Sequence, residues 1–502
     1  MRRTPEKGES GTGLVGESGV SFYNRMSERA ALKTVLGSNR AELFILYGRR
    51  GAGKSALMEA ALSESGLAHL YYRATRRTLQ LQLASLTDAA REAFPEQFIP
   101  QPFASLTIFL DWIRHVAEER LKTGSPAPVV VVIDELPYLA EVDHGLLTVL
   151  QHWWDANRKQ ANIKLFLSGS YLAFMERRVL DVSAPLYNRR TGAMKLDAMD
   201  YADSGLFFPR YPPEEKMQAY AILGGMPSYL EQFDPGRGIE ENVRATILRR
   251  NTYLSEEPDW LLLEDLRRDV THGSILRAIA SGERKPSDIA RAIGKHSAQE
   301  ISPALETLRQ LGFVIREVPV TERSRARSRN SLYFLADHYL AFWYRYVDPD
   351  RSLLARGMGD RIWAKRILPT LQEHISHPPF ERACRQYLWR ALERDRLPPG
   401  VEFSEVGNWW GAGDREIDVV ALDSRERIVL AGSCKWTTGP MDVREYAALQ
   451  RDVPLAGAAA DEPWLVLFSR SGFTPRLRSL AAESDLNRLL LVDLREMYAV
   501  SE

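Results

Sequence analysis

A glycine-rich octapeptide between two apolar runs has the residue types and spacing best suited to chemistry. Residues 48–55 are GRRGAGKS, directly after the apolar run LFILY and directly before the helix-like run ALMEAAL. Glycines at these positions let several backbone N–H groups point at phosphate oxygens, and the following helix adds the positive end of its dipole. The spacing predicts a nucleotide-binding loop, with a glycine turn that binds nothing as the weaker interpretation. The predicted nucleotide contacts are Gly48, Arg49, Arg50, Gly51, Ala52, Gly53, Lys54, Ser55 and Ala56.

Each polar residue of this loop has an expected role. A lysine in the position of Lys54 reaches the β- and γ-phosphates of a nucleoside triphosphate. The hydroxyl that follows it, here Ser55, can ligate Mg²⁺. We therefore expect ATP and Mg²⁺ as the cofactors of this loop.

A second apolar run ends in two carboxylates. Residues 128–135 are PVVVVIDE, and an unbroken β-branched run predicts a strand buried on both faces, as in a parallel sheet. Carboxylates at the end of such a strand lie where α/β sheets bind ligands. We expect Asp134 to hold Mg²⁺ and Glu135 to orient and deprotonate the attacking water. Solvated acids at an ordinary strand end are the alternative.

Two adjacent arginines follow a third apolar run. Residues 163–170, IKLFLSGS, predict another buried strand, and Arg189 and Arg190 lie about 20 residues beyond it. Such arginines can stabilise transition-state charge in the manner of an arginine finger. A solvated turn is an equally good interpretation.

Composition narrows the class of protein. The chain has 502 residues, enough for about three domains, and 45% of them are apolar. Its 66 basic and 66 acidic residues balance, so binding to nucleic acid would need a local patch. The two cysteines, Cys384 and Cys434, are too few for a disulfide framework or a four-cysteine zinc site. No apolar run approaches the ~20 residues of a membrane span, and no signal-peptide pattern follows Arg2 and Arg3, so we expect a cytoplasmic protein without membrane partners.

The motif order GRRGAGKS, VVVVIDE, LFLSGS, PLYNRRT, GGMPSYL resembles the prokaryotic "archaeal ATPase" family, a branch of the AAA-type and STAND-like P-loop ATPases, over residues 20–235. The resemblance implies an α/β fold with the parallel sheet of P-loop NTPases and a small helical lid. It also implies that Ser168 or Ser170 senses the γ-phosphate, with Ser170 a catalytic candidate, although a plain strand exit is the alternative. Residues 22–32 would either contact adenine or cap the domain. A homo-oligomer is compatible with the sequence.

Members of that family often carry a winged helix, and the middle of this chain has its pattern. Residues 275–280, 286–294 and 300–312 have helical spacing, and residues 313–320 and 331–335 predict a hairpin. Arginines alternate along the hairpin tip, and on an extended chain they would point the same way and track a phosphate backbone. A solvated wing or a protein-binding module is the alternative. The predicted DNA contacts are Arg323, Arg325, Arg327 and Arg329.

The C-terminal region resembles the PD-(D/E)xK nuclease fold. That resemblance implies that Glu381 and Asp418 hold a divalent metal while Lys435 activates water or steadies the phosphate. The position two before the lysine is normally Glu, and Ser433 lacks the anionic oxygen that Mg²⁺ prefers. Glu416 shares a strand face with Asp418 and is a candidate substitute. Cleavage of nucleic acid is therefore left open.

These patterns together predict a Mg²⁺-dependent ATPase whose nucleotide state controls a DNA-binding or nuclease-like C-terminal domain. The alternative is an ATP-bound regulatory switch or scaffold without nuclease activity. DNA is the expected partner, through the winged helix and the C-terminal domain. The predicted segments are a disordered tail at 1–20, a P-loop ATPase core at 21–200, a helical lid at 201–262, a winged helix at 263–345, a linker helix at 346–377 and a nuclease-like domain at 378–502.

Overall fold

The chain divides into two compact units, Met1–Asp197 and Ala198–Glu502. No helix in the described part of either unit is long and apolar enough to cross a membrane. Of the tail predicted to be disordered, only Leu14–Val15 fall within the described residues, and they pair antiparallel with Ser21–Phe22. The computed structural model describes residues 14–15, 21–22, 24–124, 127–160, 162–266, 270–411, 413, 415–483 and 488–499.

The first unit contains a five-stranded parallel sheet. Its elements are β1 (Leu14–Val15), β2 (Ser21–Phe22), α1 (Met26–Leu36), β3 (Glu42–Tyr47), α2 (Lys54–Ser65), β4 (His69–Arg73), α3 (Leu79–Ala93), α4 (Leu106–Lys122), β5 (Val129–Asp134), α5 (Leu136–Val142), α6 (Leu146–Asn157), β6 (Ile163–Gly169), α7 (Leu172–Phe174), a π-helix at Met175–Leu180, and β7 (Gly192–Lys195).

The strand order of this sheet is β4-β5-β6-β3-β7, with every neighbouring pair parallel. This confirms the predicted α/β fold with a parallel sheet. All carboxyl ends therefore lie at one edge, where β3, β5 and β6 deliver the segments predicted to do chemistry. All six residues of β5 are buried, as the unbroken valine run predicted.

Apolar side chains from strands and helices form one continuous core in this unit. Val131 of β5, Phe109 of α4 and Trp154 of α6 belong to the same buried cluster. Trp153 and Trp154 are 7% and 1% exposed. Each large apolar side chain buried in this way contributes about 1.5–3 kcal/mol to folding, so this core stabilises the sheet that carries the carboxyl edge.

The second unit begins with helices and ends with a mixed sheet. Its elements are α8 (Tyr201–Ser204), α9 (Pro213–Leu223), α10 (Pro227–Leu230), α11 (Ile239–Thr246), α12 (Tyr253–Leu266), α13 (Val270–Ala280), α14 (Pro286–Ala292), α15 (Ala298–Gln310), β8 (Val314–Glu317), β9 (Leu332–Leu335), α16 (His338–Tyr346), α17 (Arg351–Ala355), α18 (Gly359–Ile362), α19 (Leu371–Ile375), α20 (Glu381–Glu393), β10 (Glu405–Trp410), β11 (Glu416–Leu422), β12 (Ile428–Lys435), α21 (Val443–Ala456), β13 (Ala459–Ser469), α22 (Pro475–Ala482), β14 (Leu489–Asp493) and α23 (Leu494–Ala499).

Two pairings organise the strands of the second unit. Helices α13, α14 and α15 precede an antiparallel hairpin in which β8 pairs with β9. The C-terminal sheet has the order β10-β11-β12-β13-β14, antiparallel among the first three strands and parallel among the last three. The linker helix predicted at residues 346–377 is not continuous: α18 passes into a π-helix at Trp363–Ile367, and α19 begins only at Leu371. Pro369 lies at the break, because proline lacks the N–H that a helix interior requires.

The hairpin tip differs from the prediction. Residues 321–329 form turns and a 3-10 helix at Arg325–Arg327, so the prediction that four arginines align along an extended chain is wrong. The Arg325 guanidinium turns inward to the Glu405 carboxylate and the Val320 carbonyl. Arg316 also donates to the carbonyls of Arg325 (2.9 Å) and Ser328 (2.7 Å), and these bonds favour a compact turn.

Candidate active site

The glycine-rich loop joins β3 to α2 in a conformation that its glycines make accessible. Gly51 and Gly53 have φ values of 82° and 89°, in the left-handed region that other residues rarely adopt. A Cβ on Gly48 would lie 2.3 Å from the carbonyl oxygen of Leu196, so only glycine fits there. The loop is thus held closely against the segment that follows β7.

Lys54 lies in the first turn of α2 and is only 5% exposed. Its Nζ donates to the carbonyl oxygens of Gly48 (2.8 Å) and Arg49 (3.1 Å), so the ammonium lies against the loop. Burial lowers the pKa of Lys54, while the charges of Glu135 and Asp134 oppose that shift. A confined cation beside two carboxylates is well placed to attract phosphate oxygens.

Asp134, the last residue of β5, is 1% exposed and surrounded by donors. Its Oδ2 accepts from Ser55 Oγ at 2.9 Å, Tyr71 OH at 2.9 Å and Arg73 Nε at 3.2 Å. Burial works against ionisation, but the hydroxyl donors and the Arg73 charge outweigh it and lower the pKa of Asp134. The carboxylate is therefore anionic at neutral pH, which a cation ligand requires.

Glu135 is the N-cap of α5 and adopts the left-handed conformation, with φ 56° and ψ 46°. This conformation is uncommon for a non-glycine residue and is found at functional sites, where surrounding structure maintains the strain. Glu135 Oε2 accepts from Ser170 Oγ at 2.7 Å and from Ser170 N at 3.2 Å. The bend thus directs the carboxylate across to the end of β6.

The other candidate residues differ in whether they contact the residues of this site. Ser168 Oγ is buried near the Asp134 carboxyl but outside hydrogen-bonding geometry, whereas Ser170 contacts Glu135 directly. Arg189 pairs with Asp155 of α6 at 3.0 Å. Arg190 donates to the Leu180 carbonyl at 3.1 Å and lies 4.5 Å from the Tyr187 ring centre. Both arginines are thus engaged by neighbours of their own, and neither of those partners is a residue of the loop.

Three residues that the sequence analysis did not single out contact this site. Tyr71 and Arg73 reach Asp134 from β4, which pairs with β5 in the sheet. Arg25 has a left-handed backbone (φ 58°) and is 8% exposed. Its guanidinium donates to the carbonyls of Ala52 (3.4 Å) and Asp197 (2.6 Å), so it ties the loop to the segment that follows β7.

The oxygen atoms at this edge suit a magnesium ion. Mg²⁺ prefers hard oxygen ligands and is commonly held by one or two protein groups together with substrate phosphates. Ser55 Oγ and an anionic Asp134 supply such oxygens 2.9 Å apart. The donor set therefore fits the ion that the loop motif implies.

The second unit also brings its candidate residues together. Asp418 of β11 is 8% exposed and accepts from Cys434 N at 2.7 Å and from Ser433 Oγ at 3.3 Å. Burial is the main cause that raises the pKa of Asp418 to about 6. The negative charge of Glu381 adds to this shift, and the positive charge of Lys435 opposes it.

The neighbours of Asp418 have contacts of their own. Glu381 Oε1 lies 2.9 Å from His377 Nδ1, and Lys435 Nζ lies 3.8 Å from the Glu445 carboxylate. Glu416 is exposed, and its charge also raises the pKa of Asp418. Among the residues that the structure describes, no group of three or more His, Cys, Asp or Glu side chains is arranged to hold a metal ion.

Two family models match this chain. Residues 22–233 match an ATPase domain predominantly from Archaea, and residues 343–448 match a family described as archaeal and bacterial proteins of unknown function. An uncharacterized protein of Methanocaldococcus jannaschii is 28% identical over 440 residues, which cover 87% of this chain and 92% of that protein.

Solved structures give more distant similarities. The Walker-type ATPase of Pyrococcus abyssi is 21% identical, with a TM-score of 0.48 over 66% of this chain and 98% of its own. The ORC2 protein of Aeropyrum pernix, solved as ADPNP–ADP complexes, is 16% identical, with a TM-score of 0.43 over 70% of this chain and 97% of its own. Residues 22–233, which include the glycine-rich loop and the strand that ends at Asp134, are therefore similar to an ATPase domain predominantly from Archaea.

Proposed function

We propose that this chain binds Mg-ATP at the carboxyl edge of the first sheet and hydrolyses it. The observation that carries the proposal is the convergence of three groups at that edge. Lys54 lies against the glycine loop, Ser55 is bonded to Asp134, and Glu135 follows directly in a left-handed bend. Together they supply a phosphate-binding cation, oxygen ligands for a metal and a carboxylate base.

Each residue has a distinct part in the proposed reaction. Lys54 and the loop N–H groups bind and orient the β- and γ-phosphates, which is where most of the catalysis of phosphoryl transfer arises. Ser55 and Asp134 would hold a magnesium ion, which would supply positive charge against the phosphate oxygens. Glu135 orients a water molecule in line with the γ-phosphate and accepts its proton.

The test compares wild type with Glu135→Gln. Glutamine keeps the size of the side chain and can still accept from Ser170, but it cannot accept a proton. We expect nucleotide binding to be retained in calorimetry while steady-state hydrolysis falls about 100-fold or more. Turnover at the wild-type rate would contradict the proposed role of Glu135.

A slowly cycling switch is the second candidate, and one contact favours it. Ser170 donates two hydrogen bonds to the Glu135 carboxylate, and these bonds occupy the oxygen that would otherwise accept a hydrogen bond from the attacking water. In this function ATP is held for long periods and the bound state is the signal. Steady-state turnover measured with and without duplex DNA separates the two functions, because only a coupled hydrolase accelerates on binding DNA.

We also propose that the second unit engages nucleic acid. The order of α13, α14, α15 and the β8–β9 hairpin supports a winged helix, and Arg323, Arg327 and Arg329 are exposed at its tip. The hydrogen bonds that place Asp418 beside Ser433 and Cys434, directly before Lys435, support a nuclease-like site. Plasmid incubated with Mn²⁺ and wild type or Asp418→Ala tests cleavage, and equal plasmid integrity in the two would remove nuclease activity from the proposal.

A further inference from the structure

An arginine-lined cleft lies in the second unit, and none of its lining residues belongs to the candidate sites described above. It has a volume of about 340 Å³, within the size range of ligand sites. One wall is the end of α11 with the residues after it, and the other is the loop between α17 and α18 with the first residues of α18. The lining residues are Arg244, Leu248, Arg249, Arg250, Gly357, Gly359 and Asp360.

The two walls are fixed to each other by three contacts. Arg250 Nη1 donates to the Ala355 carbonyl at 2.9 Å, and Arg244 Nη1 lies 3.1 Å from Asp360 Oδ1. Gly359 packs so closely that a Cβ there would lie 2.2 Å from the Leu248 carbonyl oxygen. The cleft is therefore a built feature of the fold and does not depend on the rotamer of one surface side chain.

The charges of the cleft are unbalanced. Three arginines line it and only one acid, Asp360, which is 82% exposed and already paired with Arg244. Arg249 is exposed, and its guanidinium has no hydrogen-bond or ion-pair partner within the described ranges. Arg356 and Arg361, on either side of the loop wall in sequence, add further exposed positive charge.

We propose that this cleft is a phosphate-binding site. A guanidinium offers a planar fork of donors that matches two oxygens of a phosphate, and an unpaired fork beside a fixed wall needs little rearrangement to bind. The phosphate is supplied either by a nucleic-acid backbone or by a small phosphorylated molecule. The proposal is independent of ATP hydrolysis, because none of the lining residues belongs to the first unit.

The experiment uses the full chain with Lys54→Ala in every sample, so that the glycine loop does not contribute phosphate binding. Affinity for a fluorescent 24-base-pair duplex is measured by anisotropy between 0.1 and 0.5 M salt. Arg249→Ala removes the unpaired guanidinium, and Asp360→Asn removes the one acid. Arg237→Ala is the matched control, because Arg237 lies nearby in sequence but pairs with Asp234 and Glu241 and does not line the cleft.

For a nucleic-acid phosphate we expect Arg249→Ala to weaken duplex binding about eightfold at 0.1 M salt and to reduce the log–log salt slope by about 0.9. Asp360→Asn should tighten binding, and Arg237→Ala should leave it unchanged. For a small-molecule phosphate, duplex affinity stays equal in all variants, and calorimetry detects inorganic pyrophosphate binding that Arg249→Ala abolishes.

Either pattern supports the cleft as a phosphate site and identifies the source. The proposal would be overturned if all variants bound the duplex with equal affinity and Arg249→Ala did not change the heat of pyrophosphate binding. An equal loss in Arg237→Ala and Arg249→Ala would also overturn it, because that result reports net charge and not the cleft. Arg249→Lys, which keeps the charge but loses the fork, should restore part of the binding.

Discussion

Two buried aspartates, one in each unit, differ in their readiness to hold a cation. Asp134 ends β5 and Asp418 lies on β11, and each is less than a tenth exposed and bonded to a serine hydroxyl. The pKa of Asp134 is lowered, whereas that of Asp418 is raised to about 6. Burial opposes ionisation in both, so burial alone does not decide the outcome.

The neighbours account for the difference. Asp134 has two hydroxyl donors and the positive charge of Arg73 on one carboxylate oxygen. Asp418 instead faces the like charges of Glu381 and Glu416, which Lys435 only partly offsets. A strand-end carboxylate is thus ready for a cation at neutral pH only where donors and opposite charge surround it.

The largest expected effect is on ATP affinity, which should depend on the lysine of the first site and not on the lysine of the second. Lys54→Ala should weaken ATP binding about 100-fold, because a charge-assisted hydrogen bond to phosphate contributes up to about 3 kcal/mol. Lys435→Ala, the matched lysine of the second unit, should leave ATP affinity unchanged. Calorimetric titration with Mg-ATP measures both, and equal affinity in wild type and Lys54→Ala would break the assignment of the first site.

Asp418→Asn should stabilise the chain at neutral pH. The folded state of wild type binds a proton up to about pH 6, above the ordinary value of 3.8, so its stability falls as pH rises from about 4 to 6. Asparagine can keep the bond from Cys434 N without the charge. The gain should be near zero at pH 4 and approach about 3 kcal/mol above pH 7, measured by urea unfolding at each pH.

Asp134→Asn should have the opposite sign. The folded-state pKa of Asp134 is lowered, so its ionisation stabilises the fold above pH 3.8, and this contribution is lost as pH falls through the folded-state pKa. The variant should lose about 1.5–3 kcal/mol at pH 7, typical of hydrogen bonds to a charged group, and approach wild type in acid. A stabilised Asp134→Asn at neutral pH would remove the contrast between the two aspartates.

The sequence predicted the elements that carry local patterns. The glycine spacing located the loop, and the valine run located the buried strand that delivers Asp134 and Glu135. Tyr71 and Arg73 were missed because their contact with Asp134 depends on β4 lying beside β5, which no local pattern specifies. The left-handed backbone of Glu135 was missed for the same reason, because tertiary contacts maintain it.

The four arginines of the hairpin tip show where a prediction from residue spacing failed. Side chains at alternate positions share a face only on an extended chain, and a 3-10 helix at Arg325–Arg327 removes that condition. The ion pair of Arg325 with Glu405 spans 80 residues, so charge spacing along the tip could not indicate it. Likewise, Arg189 is paired with Asp155, which lies on a separate helix.

The smallest expected effect concerns Ser170, and its direction distinguishes the two candidate functions. If the bonds from Ser170 restrain Glu135, Ser170→Ala should raise turnover a few-fold, because the carboxylate is then free to turn toward the attacking water. If Ser170 instead orients water or the γ-phosphate, turnover should fall by a similar factor.

ATP affinity should be unchanged in both cases, because Ser170 lies outside the glycine loop. Ser168→Ala is the comparison, since Ser168 Oγ lies near the Asp134 carboxyl and makes no hydrogen bond to Glu135. A rise in Ser170→Ala alone would favour the slow switch, and a fall in Ser170→Ala alone would favour the coupled hydrolase. No change in turnover would show that Glu135 is governed by its bent backbone and not by this contact.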